Sequence, residues 1–453
     1  MSEALQETIY SEVLDTVLPH GTMKTLAILG IGDQLAAPPS NGSIPITAPA
    51  ALLVRERAIR PGHFLRAGFS DAPIDQNGEL VSDVTRCRNT NQEYCQLIGG
   101  ARQFPLHLSA FVIRSIDQQV MASALRFAHG AMSPSNISID GRWLDVTVAT
   151  AFRGKTSYLP NYADIATHEE IQQLFSTIEE WMHSFAKYNA LRIDPNEVRE
   201  LVQKRVSYSS LCAMRVVFGE NSEASAFTDL GELARPCQQL LSSYERSMRG
   251  TTRLTQQLPK ETELDDPIVL NIEQICSQSL ATLMKNGTSS TAGAHIAMLE
   301  LISSHASSKS DELPLLLAAI AKTLKKAYFA AKFSRRIILE EISNVETFGS
   351  ANEQSGLINR LGRAADWIFA DPEKYCITLA KTETICVDLN SLERSVTLTH
   401  SGSDYRVSLD KAETLSEHIA KETGQFLVED GFDYRPGLLR MVALLSQNAQ
   451  RAS

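Results

Sequence analysis

The spacing of hydrophobic side chains changes along this chain, and the changes constrain the fold more than any other feature of the sequence. Apolar residues at helical spacing occupy 5–18 and 106–127, which predicts a helix in each segment. Between them, two short apolar runs at 26–29 and 51–54 predict paired strands with a long tip. The segment 70–105 is polar and contains adjacent glycines, so we predict irregular structure there.

Residues 166–370 follow a helical pattern almost throughout. The predicted helices lie near 168–190, 196–217, 230–247, 268–285, 291–304, 313–346 and 355–370. In 371–453 apolar and polar side chains alternate in four short runs, which predict a four-stranded antiparallel meander closed by helices at 411–424 and 435–449. We therefore predict an α+β protein with three regions, 1–165, 166–370 and 371–453.

The chain is acidic, with a formal net charge of -10 and a pI near 5.6. A nucleic-acid binder needs a basic face that neutralises phosphates, so this balance argues against that class. The seven cysteines include no Cys-x-x-Cys pair and indicate neither a disulfide framework nor a zinc ribbon. The first residues lack a signal-peptide pattern, and no apolar run is long enough to span a membrane. We expect a cytoplasmic protein without a transmembrane segment.

The segment from His129 to Asp145 carries the strongest chemical signal. Asn136 and Asp145 stand nine residues apart, and an Asp-Gly pair between alternating apolar residues predicts a hairpin between them. An amide oxygen and a carboxylate at the ends of a short hairpin can hold a metal ion that bridges nucleotide phosphates. Gly130 would let the loop backbone turn sharply. An ordinary Asn-capped hairpin is the alternative interpretation.

The same segment resembles the catalytic loop of SelO proteins, which are kinase-fold enzymes that transfer AMP from ATP to protein hydroxyls. The resemblance rests on Phe127-Ala128-His129-Gly130-Ala131-Met132, Asn136 and Leu144-Asp145, and on three upstream segments in the family's order, Glu7-Thr8-Ile9-Tyr10-Ser11-Glu12, Lys24-Thr25-Leu26-Ala27-Ile28, and Leu53-Val54-Arg55 with Ile59-Arg60-Pro61-Gly62-His63-Phe64. It covers about a third of the chain, within residues 5–150.

The resemblance implies a truncated protein-kinase-like module in the first predicted region, with ATP and magnesium as possible ligands. Asn136 and Asp145 would ligate the metal. Arg55 and Arg60 would contact phosphates, because the guanidinium fork matches phosphate oxygens. Glu7 would pair with the lysine of the nucleotide site. The alternatives are surface ion pairs for the two arginines and a solvated helix position for Glu7.

Three departures from the family pattern separate this chain from an active transferase. Ser135 stands where the family has its catalytic aspartate, and a hydroxyl does not accept a proton at neutral pH as a carboxylate does. The chain starts at the ion-pairing helix, so we expect it to lack the glycine-rich loop and the lysine strand. Val146-Thr147-Val148 follows Asp145 in place of a glycine-containing turn. We therefore assign no catalytic residue.

The stretch 321–338 is a second candidate site, because it interleaves cationic with aromatic side chains. Its cationic residues are Lys322, Lys325, Lys326, Lys332, Arg335 and Arg336. A solvated charged face over a core stripe is one interpretation of this pattern. A docking surface for an acidic partner or peptide is the other.

Our first functional hypothesis is a SelO-like pseudokinase, or a half-site subunit, of a bacterial complex that modifies a peptide or protein. Maturation of siderophore-linked microcins is one such context, although no residue motif establishes it. A divergent AMP or phosphoryl transferase that uses Asn136 and Asp145 is the alternative. An adaptor that docks through the basic helix is the third hypothesis. In each case we expect a protein or peptide partner and no nucleic acid.

Overall fold

In the part of the chain that it describes, the computed structural model shows mainly helices with several small sheets, which confirms the prediction of mixed helices and antiparallel strands. It describes residues 1–35, 47–67, 82–152, 156–157, 170–217, 241–242, 250–251, 329, 333–348 and 350–369, and six short strands between Cys376 and Asp433. The predicted helices at 230–247, 268–285, 291–304, 411–424 and 435–449 lie largely or wholly outside the described residues.

The helices are α1 (Ser2–Val17), α2 (Asp83–Leu97), α3 (Phe104–Ala124), α4 (Glu170–Tyr188), α5 (Pro195–Val217), α6 (Arg335–Phe348) and α7 (Ala351–Phe369). The strands are β1 (Thr25–Leu35), β2 (Thr47–Arg55), β3 (Phe127–Ala128), β4 (Thr150–Ala151), β5 (Thr156–Ser157), β6 (Gly250–Thr251), β7 (Cys376–Thr378), β8 (Thr384–Asn390), β9 (Ser395–His400), β10 (Ser403–Ser408), β11 (Val428–Glu429) and β12 (Phe432–Asp433).

Helix α1 joins distant parts of the chain through its buried side chains. Leu5, Ile9 and Val13 recur every four residues and are almost fully buried, which is the spacing that predicted this helix. α1 packs against α6 and α7 and against the β1–β2 hairpin. Side chains from both sides of the predicted boundary at 165/166 therefore share one hydrophobic core.

Strands β1 and β2 form an antiparallel hairpin, as the two apolar runs predicted. Leu29 lies opposite Leu52 and Ala27 opposite Val54, and the ladder is irregular at two points in β1. The partly buried Ile28 packs against the core that contains α1. The predicted tip of the hairpin lies outside the described residues.

The prediction of irregular structure for 70–105 is wrong in its second half, because α2 occupies 83–97. The Ser82 hydroxyl accepts a hydrogen bond from the Thr85 backbone N–H and caps the helix. The buried residues Cys87, Asn91 and Tyr94 follow helical spacing. The polar composition of the segment concealed this narrow buried stripe.

An aromatic cluster fixes the turn Pro61–Phe64 to the helices. Phe64 stacks on Trp181 of α4 with ring centroids 5.5 Å apart, and Phe104 of α3 stacks on Phe185 of α4 at 3.7 Å. Such aromatic pairs contribute roughly 0.5–1.5 kcal/mol beyond their buried area. The turn that follows β2 is therefore held in place by α2, α3 and α4.

The Asp-Gly pair makes the predicted turn between Ile137 and Trp143. These two residues form an antiparallel bridge, and Gly141 adopts a φ of 86°. A Cβ at Gly141 would come within 2.5 Å of Arg114, so glycine is required both by its backbone conformation and by its neighbours. The prediction of a hairpin is confirmed, with a single bridge in place of longer strands.

The predicted helix 313–346 is wrong as a continuous element, because the chain leaves helical geometry at Phe333 and Ser334 before α6 begins. The carbonyl of Phe333 accepts hydrogen bonds from the Tyr10 hydroxyl at 3.1 Å and the Ala151 backbone N–H at 3.2 Å. The backbone N–H of Arg335 then donates to the Thr150 hydroxyl at 3.0 Å. These tertiary contacts interrupt a helix that periodicity alone would continue.

The C-terminal strands confirm the predicted meander. β7, β8, β9 and β10 form a four-stranded sheet in which each strand pairs antiparallel with the next in sequence. In the described part of the chain, no helix is both long and apolar enough to cross a bilayer.

Asp117 links three elements through a partly buried network of polar contacts. Its carboxylate accepts two hydrogen bonds from Arg205 and one from Ser209, both on α5, and lies 3.5 Å from His20 Nε2. Burial by itself would raise the pKa of Asp117, but the hydrogen bonds from His20, Arg205 and Ser209 outweigh it and lower this pKa to about 2. The ionised carboxylate therefore stabilises the packing of α3 on α5.

We expect Arg205→Met to lower the free energy of unfolding by about 2 kcal/mol at pH 7. Because the folded pKa of Asp117 lies below its ordinary value of 3.8, this stability is present above pH 4 and is lost as the pH falls toward 2. Urea unfolding followed by tryptophan fluorescence at pH 7 and pH 3 measures the difference. The difference in the free energy of unfolding between wild type and Arg205→Met should be smaller at pH 3 than at pH 7.

The matched control is Arg199→Met, which removes a more exposed ion pair between Arg199 and Glu179 on the neighbouring helices. Exposed pairs contribute roughly 0–1 kcal/mol, so this variant should unfold close to wild type. Equal losses in the two variants would contradict a specific role for Asp117.

Candidate functional site

The loop that follows β3 is built around a buried histidine. The His129 ring is fully buried, with Nε2 3.0 Å from the Leu144 carbonyl oxygen and Nδ1 3.3 Å from the Ala131 backbone N. Burial lowers the pKa of His129, and the bond to Leu144 only partly offsets it. The neutral ring therefore donates through Nε2 and accepts through Nδ1, which makes His129 a structural part of the loop.

Gly130 is required by the path of the same loop. Its φ is 82°, and a Cβ there would lie 2.5 Å from the Val148 carbonyl oxygen. Any other residue would combine an unfavourable backbone conformation with a backbone clash. The sequence prediction of a sharp turn at Gly130 agrees with this geometry.

Asn136 is oriented by hydrogen bonds on both its side chain and its backbone. Its Nδ2 donates to the Ala131 carbonyl oxygen at 2.8 Å, and its own carbonyl accepts from the Leu144 backbone N–H at 3.1 Å. The second bond brings Asn136 next to the residue that precedes Asp145. Because Nδ2 is committed to Ala131, the amide presents Oδ1 as its acceptor atom.

Asp145 adopts a left-handed backbone conformation, with a φ of 57°. Asp and Asn tolerate this region better than most residues. The backbone N–H of Asp145 donates to the carboxylate of Glu7, and the Thr147 hydroxyl donates to Asp145 Oδ1 at 3.3 Å. Asp145 is thus connected to helix α1 through its main chain, while its carboxylate stays half-buried.

Glu7 is buried and makes an ion pair with Arg55, the last residue of β2. Burial raises the pKa of Glu7, the Arg55 charge lowers it, and the nearby negative charge of Asp145 raises it further. The structure therefore brings together Glu7, Arg55 and Asp145. It places the guanidinium of Arg55 against a carboxylate of its own chain.

Arg60 and Ser135 are in direct contact. Arg60 Nη1 donates to the Ser135 carbonyl oxygen at 3.0 Å, and the Gly62 backbone N–H donates to the Pro134 carbonyl at 2.8 Å. A Cβ at Gly62 would lie 2.7 Å from the Ser135 hydroxyl. The turn after β2 thus packs directly against the position where the SelO pattern has its aspartate.

The donors at Asn136 and Asp145 suit a magnesium ion that is shared with a phosphate ligand. Magnesium prefers oxygen ligands and usually keeps several waters while it binds one or two carboxylates and substrate phosphates. An amide oxygen and one carboxylate fit this description. Among the described residues, no group of three or more His, Cys, Asp or Glu side chains could form a cage for a metal ion.

The basic stretch is only partly described. Lys322, Lys325 and Lys326 lie outside the described residues. Arg335 and Arg336 form the first turn of α6, where Arg336 makes an ion pair with Glu340 at 3.3 Å. The two arginines therefore lie at the N-terminus of α6 and do not continue a helix that contains the lysines. The docking role of the basic stretch stays a prediction.

Sequence reasoning missed Glu170, the first residue of α4. Its carboxylate is almost fully buried and accepts hydrogen bonds from the Gly130 backbone N–H at 2.6 Å, the His129 backbone N–H at 3.3 Å and Gln119 Nε2 at 3.0 Å. Burial raises the pKa of Glu170 to about 7, although the three donors oppose this shift. No motif marked Glu170, because two of its three partners are backbone groups, 41 and 40 residues away.

A scan against family models gave no match, and a search of curated proteins returned no significant similarity.

We expect Glu170→Gln to lower the free energy of unfolding by about 2 kcal/mol at pH 4.5, because the amide presents N–H groups to at least one of three donors, and we expect this loss to shrink toward pH 8. Wild type should lose stability as the pH rises from 4.5 through 7, since the folded pKa is raised above its ordinary value. This pH dependence should be weaker in the variant. Urea unfolding between pH 4.5 and pH 8 measures both effects.

Glu180→Gln is the control, because Glu180 lies exposed on the same helix. It should retain wild-type stability and the wild-type pH profile. A Glu170→Gln protein that keeps both properties would show that the buried carboxylate does not hold the loop.

Proposed function

We propose that this chain is a SelO-like pseudokinase or half-site subunit that binds a magnesium-linked phosphate ligand without transferring it. In this proposal the protein serves a complex that modifies a peptide or protein. The observation that carries it is the arrangement of Glu7, Arg55 and Asp145 around a loop in which Asn136 presents an amide oxygen.

The loop supports ligand binding because its polar groups are already oriented. His129 is buried in one tautomer, Glu170 holds the backbone at His129 and Gly130, and Asn136 is fixed through Ala131. A site whose groups are held before the ligand arrives loses less conformational entropy on binding. This preorganisation of polar groups favours a binding site over an ordinary structural hairpin.

The absence of a base supports binding without transfer. Ser135 is exposed and follows Ser133 and Pro134, so no carboxylate occupies the position that would accept a proton from an attacking hydroxyl. His129 cannot replace it, because both ring nitrogens are engaged within the buried loop. The Asp140 carboxylate of the same loop is paired with Arg142, and in this proposal Asp145 serves as a metal ligand.

The pairing of Arg55 with Glu7 refines the predicted ligand contacts. A guanidinium that neutralises a buried carboxylate is less available to phosphate than a free one. Arg60 donates to a backbone carbonyl of the loop, whereas Arg55 is paired with a carboxylate. We propose that Arg55 orients Glu7 and the Asp145 backbone, while Arg60 lies toward the ligand.

We expect ATP with magnesium to raise the melting temperature of the wild-type chain by several degrees, and Asp145→Asn to abolish this shift. Asn tolerates the left-handed conformation at position 145 but removes the charge, so it separates ligand binding from backbone strain. Differential scanning fluorimetry with ATP alone, magnesium alone and both together measures the effect. The shift should require both.

Asp194→Asn is the control, because Asp194 caps α5 at an exposed position and Asn preserves this cap. It should keep the full shift. An unshifted wild type would contradict the proposed ligand, and a shift that survives Asp145→Asn would contradict the proposed site. Transfer of AMP or phosphate from labelled ATP to a protein would support the divergent-transferase alternative and contradict a pseudoenzyme.

A further inference from the structure

Two cysteines occupy directly opposed positions in the C-terminal sheet. Cys376 of β7 pairs with Cys386 of β8, and the ladder continues through the next two pairs without a shift in register. Cysteine accounts for only seven of the 453 residues, so few directly opposed pairs are expected by chance. The spacing of the two residues in the sequence matches no metal or redox motif. The pair therefore becomes apparent only from the register of the strands.

The backbone geometry of an antiparallel sheet suits a bond between these two positions. Directly opposed residues have Cα atoms about 4.5 or 5.5 Å apart, depending on whether the pair exchanges backbone hydrogen bonds. A disulfide joins residues whose Cα atoms are about 4.4–6.8 Å apart. Directly opposed residues also share one face of the sheet. The register thus brings Cys376 and Cys386 within disulfide range on the same face.

The two cysteines belong to the polar set of alternating positions in this sheet. The apolar set on β8 and β9 consists of Ile385, Val387, Leu389, Val396 and Leu398. The set that includes Cys386 consists otherwise of Thr384, Asp388, Asn390, Ser395, Thr397 and Thr399. An antiparallel sheet commonly packs its apolar face on the core and leaves its polar face to water. The pattern therefore favours reactive thiols over cysteines that serve as small buried apolar residues.

We propose that Cys376 and Cys386 form a reversible disulfide that links β7 to β8, with a low-molecular-weight disulfide such as oxidised glutathione as the oxidant. The thiolate of one cysteine attacks the small disulfide and releases one thiol. The second cysteine attacks the protein sulfur of this mixed disulfide and releases the other thiol. Two protein S–H bonds are replaced by one S–S bond, and the S–S bond of the oxidant is replaced by two S–H bonds.

The disulfide fastens the edge of the sheet. In the described part of the chain, β7 is an edge strand that pairs with β8 over three residues. A short edge strand held by few backbone hydrogen bonds opens locally at low cost in free energy. Cβ atoms at directly opposed positions are usually about 4.5–5.5 Å apart, whereas a disulfide brings them to about 3.8 Å, so the bond is readily reduced. Oxidation therefore holds β7 in place, and reduction releases it.

The test is peptide mapping of the full chain after incubation with oxidised glutathione at about pH 8, where free thiols begin to ionise. Remaining thiols are alkylated before digestion with trypsin. Lys381 lies between the two cysteines, so trypsin separates them. Wild type should yield peptides 375–381 and 382–394 joined by a disulfide, which a reductant splits. Two alkylated cysteines, or two glutathione adducts without a link, overturn the proposal.

A shift by one residue separates register from closeness in the sequence. Cys376→Ser/Ile377→Cys alters the spacing of the two cysteines by a single residue but moves one of them to the other face of the sheet. This variant should lose most of the link. Cys95→Ser/Cys212→Ser removes two partly exposed cysteines on α2 and α5 and should keep it. A link that forms equally well in the shifted variant overturns the role of the register.

Hydrogen exchange measured by mass spectrometry tests the effect of the link on the sheet. Oxidation should slow amide exchange in β7 and β8 several-fold in wild type, because the linked strands open less often. Cys376→Ser/Cys386→Ser should exchange at the same rate with and without the oxidant. A linked wild type whose strands exchange as fast as those of the reduced protein overturns the proposed fastening of β7.

Discussion

The buried carboxylate of Glu170 is the contact on which the geometry of the candidate site depends. It accepts hydrogen bonds from the backbone at His129 and Gly130, at the point where the chain leaves β3 and turns sharply. Backbone N–H groups buried without an acceptor would each cost about 1–3 kcal/mol. Because one carboxylate satisfies both groups and Gln119 as well, the first turn of α4 determines where the loop begins.

Helix α1 supports the other end of the loop. Glu7 accepts a hydrogen bond from the Asp145 backbone and is neutralised by Arg55, so the end of the loop is attached to a helix and to a strand. α1 is itself packed against α6 and α7, more than three hundred residues away in sequence. Residues that no motif links to the loop therefore hold one of its two ends.

The sequence predicted those parts of the fold whose cause is local. Periodicity predicted α1, α3, α4, α5 and the C-terminal meander, and the Asp-Gly pair predicted the turn before Trp143. The prediction was wrong where tertiary contacts determine the backbone conformation. At Phe333 the carbonyl accepts hydrogen bonds from Tyr10 and Ala151, and the predicted helix is interrupted there. For the candidate site, the motif predicted Asn136 and Asp145 as metal ligands and gave no sign of Glu170, because a carboxylate that binds backbone groups leaves no side-chain pattern at its target.

Strand β2 connects the site with the exposed face of the hairpin through the alternation of its side chains. Val54 is exposed on the outer face, whereas Arg55 reaches inward to Glu7. A two-stranded hairpin is marginally stable by itself, and here α1 supports only one of its faces. Any protein surface that covers the outer face would stiffen the strand that positions Arg55. The orientation of Glu7, and with it the backbone of Asp145, would then depend on contacts on both faces of the same hairpin.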